Sequence, residues 1–282
     1  METVGPNAEQ IRYWNETAGP KWVAMDDAIN QVIAPIGEHA LAAADVRAGE
    51  RILDVGCGGG RTTVELARRT GPSGAVTGLD VSGPLLALAR HRAADAGLAV
   101  TFVEADAQTH PRPTATFALL FSRFGVMFFA DPAAAFVNLG RALRPGGRAA
   151  FACWQPLPQN AWVVVPLMAA AQHVTLPPPP AADAPGPFAL GDPDRVRDIL
   201  GRAGFRDVRI APVEKQLTLG RELGATAEFM TQMGPAAAVL REVDAATTTR
   251  VVAAIREALV PHQTPDGIRL GSAAWLVTAV RP

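Results

Sequence analysis

The twelve residues 51–62, RILDVGCGGGRT, decide how the rest of the chain is read. A β-branched and apolar run ends in an acid, Asp54, and then in four glycines within five positions, Gly56, Gly58, Gly59 and Gly60. Glycine lacks a Cβ and tolerates positive φ, so a strand that ends this way brings bare backbone close to a ligand. A dinucleotide turn wants G-x-G-x-x-G, which from Gly56 and Gly58 puts the third glycine at position 61. That position is Arg61. A carboxylate two residues ahead of the first glycine repels a pyrophosphate and attracts an ammonium group. The turn therefore favours a nucleoside ligand with a cationic, phosphate-free tail.

Around this turn, strand and helix alternate. AVTGLD (75–80), VTFVEAD (100–106), FALLFSRF (117–124) and RAAFACW (148–154) read as further strands, with RPGG (144–147) as the turn into the last. Ser82 caps a helix that Gly97 stops, and Asp131-Pro132 opens another. Such alternation implies right-handed crossovers and a parallel sheet covered on both faces. Beyond Trp154 the pattern loosens. The sequence predicts a helix over 160–173, a stiff exposed loop at LPPPPAADAPGPF (176–188), and a helix from Asp192 to near Gly204. A strand over 205–219, helix over 224–260 and a last strand over 271–280 complete the expectation. Residues 1–48 read as largely helical.

Composition narrows the classes. With 49% hydrophobic residues and a formal charge of −1, the chain builds a core and has no basic face, so a nucleic acid is not an expected partner. The two cysteines, Cys57 and Cys153, form no CxxC and have no histidine at ligand spacing, so no metal is expected. The N-terminus has no apolar signal region, and the longest apolar stretch, 161–171, contains Pro166 and is too short to span a bilayer. The expectation is a soluble, cytoplasmic protein with a small-molecule partner; a homodimer is compatible with it.

In an open α/β sheet, ligands sit beyond the carboxyl ends of the strands. Asp54, Asp80 and Asp106 end the first three strands in turn. Asp80 has the reach to accept from both ribose hydroxyls, and Asp106 can accept from an exocyclic amine with the Ala107 N–H beside it. Arg123, if it faces the crevice, binds a carboxylate or an anionic acceptor; otherwise it forms a salt bridge behind the sheet. Phe124, Met127, Phe229, Met233 and Trp154 either line an apolar pocket or are plain core.

ILDVGCGGG, TGLDVS, FVEADAQ and LRPGG resemble the ordered motifs of class I S-adenosylmethionine-dependent methyltransferases. The flanks YWNETAGPKW, SRFGVMFFADP and FALGDPDRVRDILGRAGF look like the bacterial small-molecule branch related to the ubiquinone/menaquinone C-methyltransferases. The resemblance implies a Rossmann-like, doubly wound α/β fold with a mostly parallel seven-stranded sheet. Its parts would be an N-terminal helical lid (1–48), a cofactor-binding core (49–154), and a C-terminal part (155–282) with acceptor-pocket insertions at 155–190 and 221–262. It also implies roles: Asp54, Gly56, Cys57 and Gly58 along the methionine half, Asp80 on the ribose, Val81 against adenine, and Asp106 with Ala107 on the adenine edge. Ser122 would lie between cofactor and acceptor, and Tyr13 and Trp22 in the lid.

The implied reaction is transfer of the cofactor's methyl group to a small, fairly apolar molecule, leaving S-adenosylhomocysteine. Displacement at a sulfonium needs alignment above all, and a general base is optional. His110, Arg123 and His262 are the candidates for a catalytic role; none is singled out as the base. The rival readings are a protein that binds S-adenosylmethionine or S-adenosylhomocysteine without turnover, and an NAD or nucleotide-sugar enzyme, against which Arg61 argues.

Overall fold

The computed structural model describes residues 5–111, 113–181, 184–241 and 243–282. Parts of the expected N-terminal helix, of the proline-rich loop and of the helical stretch 224–260 fall on positions 1–4, 182, 183 and 242, outside the described residues.

The chain opens with α1 (Ala8–Arg12), a π-helical turn (Tyr13–Thr17) and α2 (Ala18–Ala24), followed by α3 (Asp26–Ala43). Then come β1 (Arg51–Val55), α4 (Arg61–Thr70), β2 (Ala75–Asp80), α5 (Gly83–Asp95), β3 (Thr101–Glu104), β4 (Phe117–Arg123), α6 (Pro132–Ala142) and β5 (Leu143–Trp154). After α7 (Ala161–Ala170) and α8 (Pro193–Arg202) the chain forms β6 (Arg206–Gly220). It then runs through α9 (Leu223–Met230), α10 (Gly234–Val239) and α11 (Ala245–Leu259) into a hairpin of β7 (Gln263–Thr264) and β8 (Gly267–Val280). Short polar side chains set the helix starts. Asp131 accepts from the Ala134 N–H at 2.9 Å, Asp192 from Asp194 at 2.9 Å and Asp244 from Thr247 at 2.8 Å.

The sheet order is β3-β2-β1-β4-β5-β8-β6. The strands from β3 to β5 pair in parallel, while β8 runs antiparallel to both β5 and β6. Order reverses between β1 and β4, the point where such sheets open a crevice. The sheet has eight strands in place of the expected seven, because the two-residue β7 pairs with β8. Phe121 and Phe151 in the sheet and Phe136 of α6, which packs on Phe151, are fully buried. Each contributes about 1.5–3 kcal/mol by leaving water.

Three expectations need correcting. First, α3 is more than a lid. Ile29, Val32, Ile33, Ile36 and Ala40 form a buried stripe at helical spacing, packed over β5, β6 and β8, while Asp26, Ile29, Asn30 and Ile33 also line the cavity. Second, RPGG lies within β5 as an irregular entry whose Gly146 N–H donates to the Arg281 carbonyl. Third, the helical stretch 224–260 is three helices. Gly234, at φ +62°, and Pro235 interrupt it, and Asp244 restarts it. Among the described residues no helix is long and apolar enough to cross a membrane, and no group of three or more His, Cys, Asp or Glu could hold a metal ion.

Candidate active site

The carboxyl ends of β1, β2, β4 and β5, the N-terminal helices and the loops near Phe188 and Met233 enclose a cavity of about 1470 Å³, measured out into its mouth.

The glycine turn forms one wall. Gly56 sits at φ +65°, and a Cβ there would lie 2.6 Å from the Gly125 Cα, so a side chain would drive the loop after β4 away. Gly58, at φ +53°, faces open space. Its N–H donates to Asp80 Oδ2 at 2.8 Å, while Asp80 Oδ1 accepts from the Ser82 N–H at 2.9 Å. Burial pushes the Asp80 carboxyl up from its ordinary range, and those backbone N–H groups pull it partly back. Cys57 and Val81 line the same region, and burial raises the Cys57 thiol well above its usual range.

Asp54 stands behind this wall, fully buried and off the cavity surface. Its Oδ2 accepts from Thr62 at 3.0 Å and Thr63 at 2.7 Å, while Oδ1 has no partner. Burial pushes the carboxyl up to about 6, against the two hydroxyls and the nearby Arg123 charge. Ser122 is also off the cavity. Its hydroxyl donates to the Val55 carbonyl at 2.7 Å and accepts from the Gly125 N–H at 3.2 Å, which pins the end of β1 to the loop after β4. Its place is structural, behind the space it was expected to line.

The N-terminal segment forms the opposite wall through Asn7, Gln10, Trp14 and Trp22. Asn15 donates to the Val81 carbonyl at 2.8 Å and accepts from the Gly83 N–H at 3.0 Å, while the Ser82 hydroxyl donates to the Trp14 carbonyl at 2.8 Å. Asn7 donates to Asp106 Oδ1 at 2.9 Å and accepts from the Ala130 N–H at 2.7 Å. Asp106 and Ala107 do lie at the cavity, yet Asp106 also accepts from the Gln108 N–H and from Thr109, so its carboxylate is largely engaged.

A charged cluster closes one end. Asp26 accepts from Arg61 at 3.1 Å and Arg92 at 2.6 Å; Arg61 also pairs with Asp27, and Arg92 donates to the Gly59 carbonyl. Arg123 lines the cavity and donates to the neutral Asn30 Oδ1 at 2.7 Å, so the expected alternative of a salt bridge behind the sheet is absent among the described residues. Burial holds its guanidinium down to about 10.

The remaining wall is aromatic. Phe124 stacks on Trp154 at 4.2 Å and 12°, and Trp154 meets Trp162 at 5.1 Å. Phe124 adopts φ +65°, uncommon for a bulky residue and a form of strain found at functional sites. Met127 and Met233 complete this side.

Other expected residues lie elsewhere. Tyr13 points to the outside, where its ring sits 5.2 Å under the Arg241 guanidinium; the neighbouring Trp14 takes the inner position. Regular helical phase accounts for this: Trp14, seven positions after Asn7, shares the face of Asn7 and Gln10, and Tyr13 falls off it. Phe229 packs against the core beside the cavity, not in it. His110 and His262 are off its surface, in the turn after Asp106 and the turn after α11. Asn7, Gln10, Trp14, Asp26 and Asn30 were not foreseen, although Asn7, Gln10 and Trp14 follow the i, i+3, i+7 spacing of one helix face.

Residues 52–147 match the methyltransferase domain family. The chain carries an S-adenosylmethionine-dependent methyltransferase domain. It is 32% identical over 184 residues to nocamycin O-methyltransferase of Saccharothrix syringae, covering 62% of this chain and 66% of that one. To the demethylmenaquinone methyltransferase of Thermus thermophilus it is 40% identical over 119 residues, 42% of this chain and 54% of the relative. The matches thus span between about half and two thirds of the relatives' length. Among solved structures, YcgJ of Bacillus subtilis shares the fold at TM-score 0.57 and 16% identity, over 86% of this chain and 98% of that one. Phosphoethanolamine N-methyltransferase 2 of Haemonchus contortus, solved with S-adenosyl-L-methionine, does so at TM-score 0.54 and 19% identity, over 88% and 52%.

The residues present fit the cofactor of a methyltransferase domain. The unpartnered Asp54 Oδ1 behind the turn supplies the negative potential that an ammonium wants, and the open backbone at Gly58 leaves space for the amino-acid tail. Asp80, on the cavity at the end of β2, retains lone pairs for hydroxyl donors.

Proposed function

We propose that this chain transfers the methyl group of S-adenosylmethionine to a small, largely apolar acceptor that carries a ring. The observation that carries this reading is the meeting of two chemistries in one cavity: the Gly56–Gly58 turn with Asp80, and the Phe124, Trp154 and Trp162 stack. The sulfonium supplies an activated methyl and a neutral thioether leaving group. Gly58 and Asp80 hold the donor, the aromatic rings place the acceptor, and the N-terminal wall excludes water.

Among the described residues no histidine lines the cavity, so orientation carries the reaction and the acceptor brings its own nucleophilicity. The molecules in the relatives' names, nocamycin, demethylmenaquinone and aklanonic acid, support a small-molecule substrate. Incubation with S-adenosylmethionine and a panel of phenols, quinols, amines and thiols, read by S-adenosylhomocysteine release, tests the reading. Release with ring-bearing members supports it. Binding of S-adenosylhomocysteine without release on any member would replace it by a cofactor-binding protein without turnover, and tighter binding of NAD would overturn the cofactor itself.

A further inference from the structure

Gln10 is the one cavity residue of α1 whose side chain is not committed to the protein. Gln10 lines the cavity, and its Oε1, buried in that wall, has no hydrogen-bond partner. Burying an amide oxygen unpaired is costly, so such a group in a cavity wall marks a ligand contact.

The contacts on either side of Gln10 fix what that ligand group is. One turn earlier, Asn7 is bonded to Asp106 at the end of β3 and to the Ala130 N–H. One turn later, the Trp14 carbonyl and Asn15 are bonded to Val81, Ser82 and Gly83 just past the end of β2. Gln10 therefore lies above the gap between the ends of β2 and β3, which the cofactor reading gives to the adenine. The carboxylate expected to read that base is largely occupied. Asp106 is only 7% exposed; its Oδ1 accepts from Asn7 and Gln108 and its Oδ2 from Thr109.

We propose that the Gln10 carboxamide, carried by the N-terminal segment, reads the adenine edge of the cofactor. Its Oε1 accepts from the 6-amino group, and its Nε2 donates to a neighbouring ring nitrogen. An amide presents a donor beside an acceptor, the pattern that adenine's edge complements. This rests on the cofactor reading above. It has a consequence that a carboxylate reader lacks: rotated by half a turn, the same amide matches hypoxanthine, whose oxygen accepts and whose ring N–H donates.

The test is equilibrium binding of S-adenosylhomocysteine and S-inosylhomocysteine, followed by tryptophan fluorescence, in the wild type, Gln10→Leu and Gln10→Glu. The wild type should bind the two within about tenfold of each other, and Gln10→Leu should weaken both by about tenfold, the scale of one hydrogen bond. Gln10→Glu, an acceptor only, makes one hydrogen bond and one repulsive contact to either base and should weaken both ligands by about tenfold. Unchanged affinities in both variants, or a wild type that binds the inosyl compound more than about a hundredfold more weakly than S-adenosylhomocysteine, would overturn the proposal. Failure of the wild type to bind S-adenosylhomocysteine would instead overturn the cofactor reading.

Discussion

Phe124 lies flat against Trp154, ring centroids 4.2 Å apart and planes 12° from parallel, with its backbone held at φ +65°. The last residue of β5 thus stabilises an unfavourable conformation just past β4 and presents an aromatic face to the cavity. Stacked pairs contribute about 0.5–1.5 kcal/mol beyond their buried area. Phe124→Ala should raise the acceptor KM about tenfold while S-adenosylhomocysteine affinity stays within twofold. Parallel steady-state and calorimetric titrations check this, and equal losses in both would remove Phe124 from the acceptor side.

Asp80 holds Gly58 and Ser82 through its two oxygens and faces the cavity. Hydrogen bonds to a charged group are worth roughly 1.5–3 kcal/mol each. Asp80→Asn should weaken S-adenosylhomocysteine binding about a hundredfold in calorimetry while retaining the fold in circular dichroism. Full affinity in that variant would end the ribose assignment.

Asp54 gives a pH dependence whose sign can be worked out. Its folded carboxyl is raised from 3.8 to about 6, chiefly by burial, so between those values the folded state binds more protons than the unfolded one. Stability therefore falls as pH rises from about 4 to 6, by roughly 3 kcal/mol at 1.36 kcal/mol per unit. Asp54→Asn removes that cost and leaves an oxygen to accept from Thr62 and Thr63. The ligand-free variant should melt above the wild type at pH 7.5, with the gap closing toward pH 4; differential scanning fluorimetry shows this. The same ionisation supplies the charge behind the glycine turn, so wild-type cofactor affinity should drop as pH falls below about 6.

Because no histidine among the described residues lines the cavity, the pH profile should belong to the acceptor. For phenols ionising near ~7 and ~10, log kcat/KM should rise with unit slope up to each phenol's own pKa, the latter resembling tyrosine. A common inflection near 6.5 for both would point to a histidine base and against an orientation-only site.

Asn15 clasps Val81 and Gly83 from the N-terminal segment. Asn15→Ala should speed cofactor release several-fold, measured by stopped-flow tryptophan fluorescence, and raise amide exchange across residues 8–24. A lid on a latch loses dwell time before it loses fold.

The motif-bearing core was legible because strand ends and glycines have local rules. Asp80 and the Gly56–Gly58 turn are placed by their own strand and its parallel neighbours. Residues whose roles depend on phase or on distant partners were not. Trp14 and not Tyr13 shares the helix face of Asn7 and Gln10, a phase that means something only once that face is known to line the cavity. Ser122 was expected at the crevice, but the demand of the Val55 carbonyl for a donor 67 positions away turned it inward. Asp106 was read as open because nothing near it in sequence announces Asn7, 99 positions upstream. The sheet centre followed from strand patterning; the three-way split of 224–260 turned on a single Gly-Pro step and a cap.

The wall built from Asn7 to Ile33 lies wholly upstream of the matched segment 52–147, and Trp154, Trp162 and Met233 lie downstream of it. The cavity wall therefore extends beyond the segment that the family model matches on both sides. A chimera that swaps only residues 52–147 between relatives should shift the substrate preference only in part, because Phe124 and Met127 move with the segment while Trp154, Trp162 and Met233 stay with the host. Transplanting the flanks together with that segment should carry the whole preference.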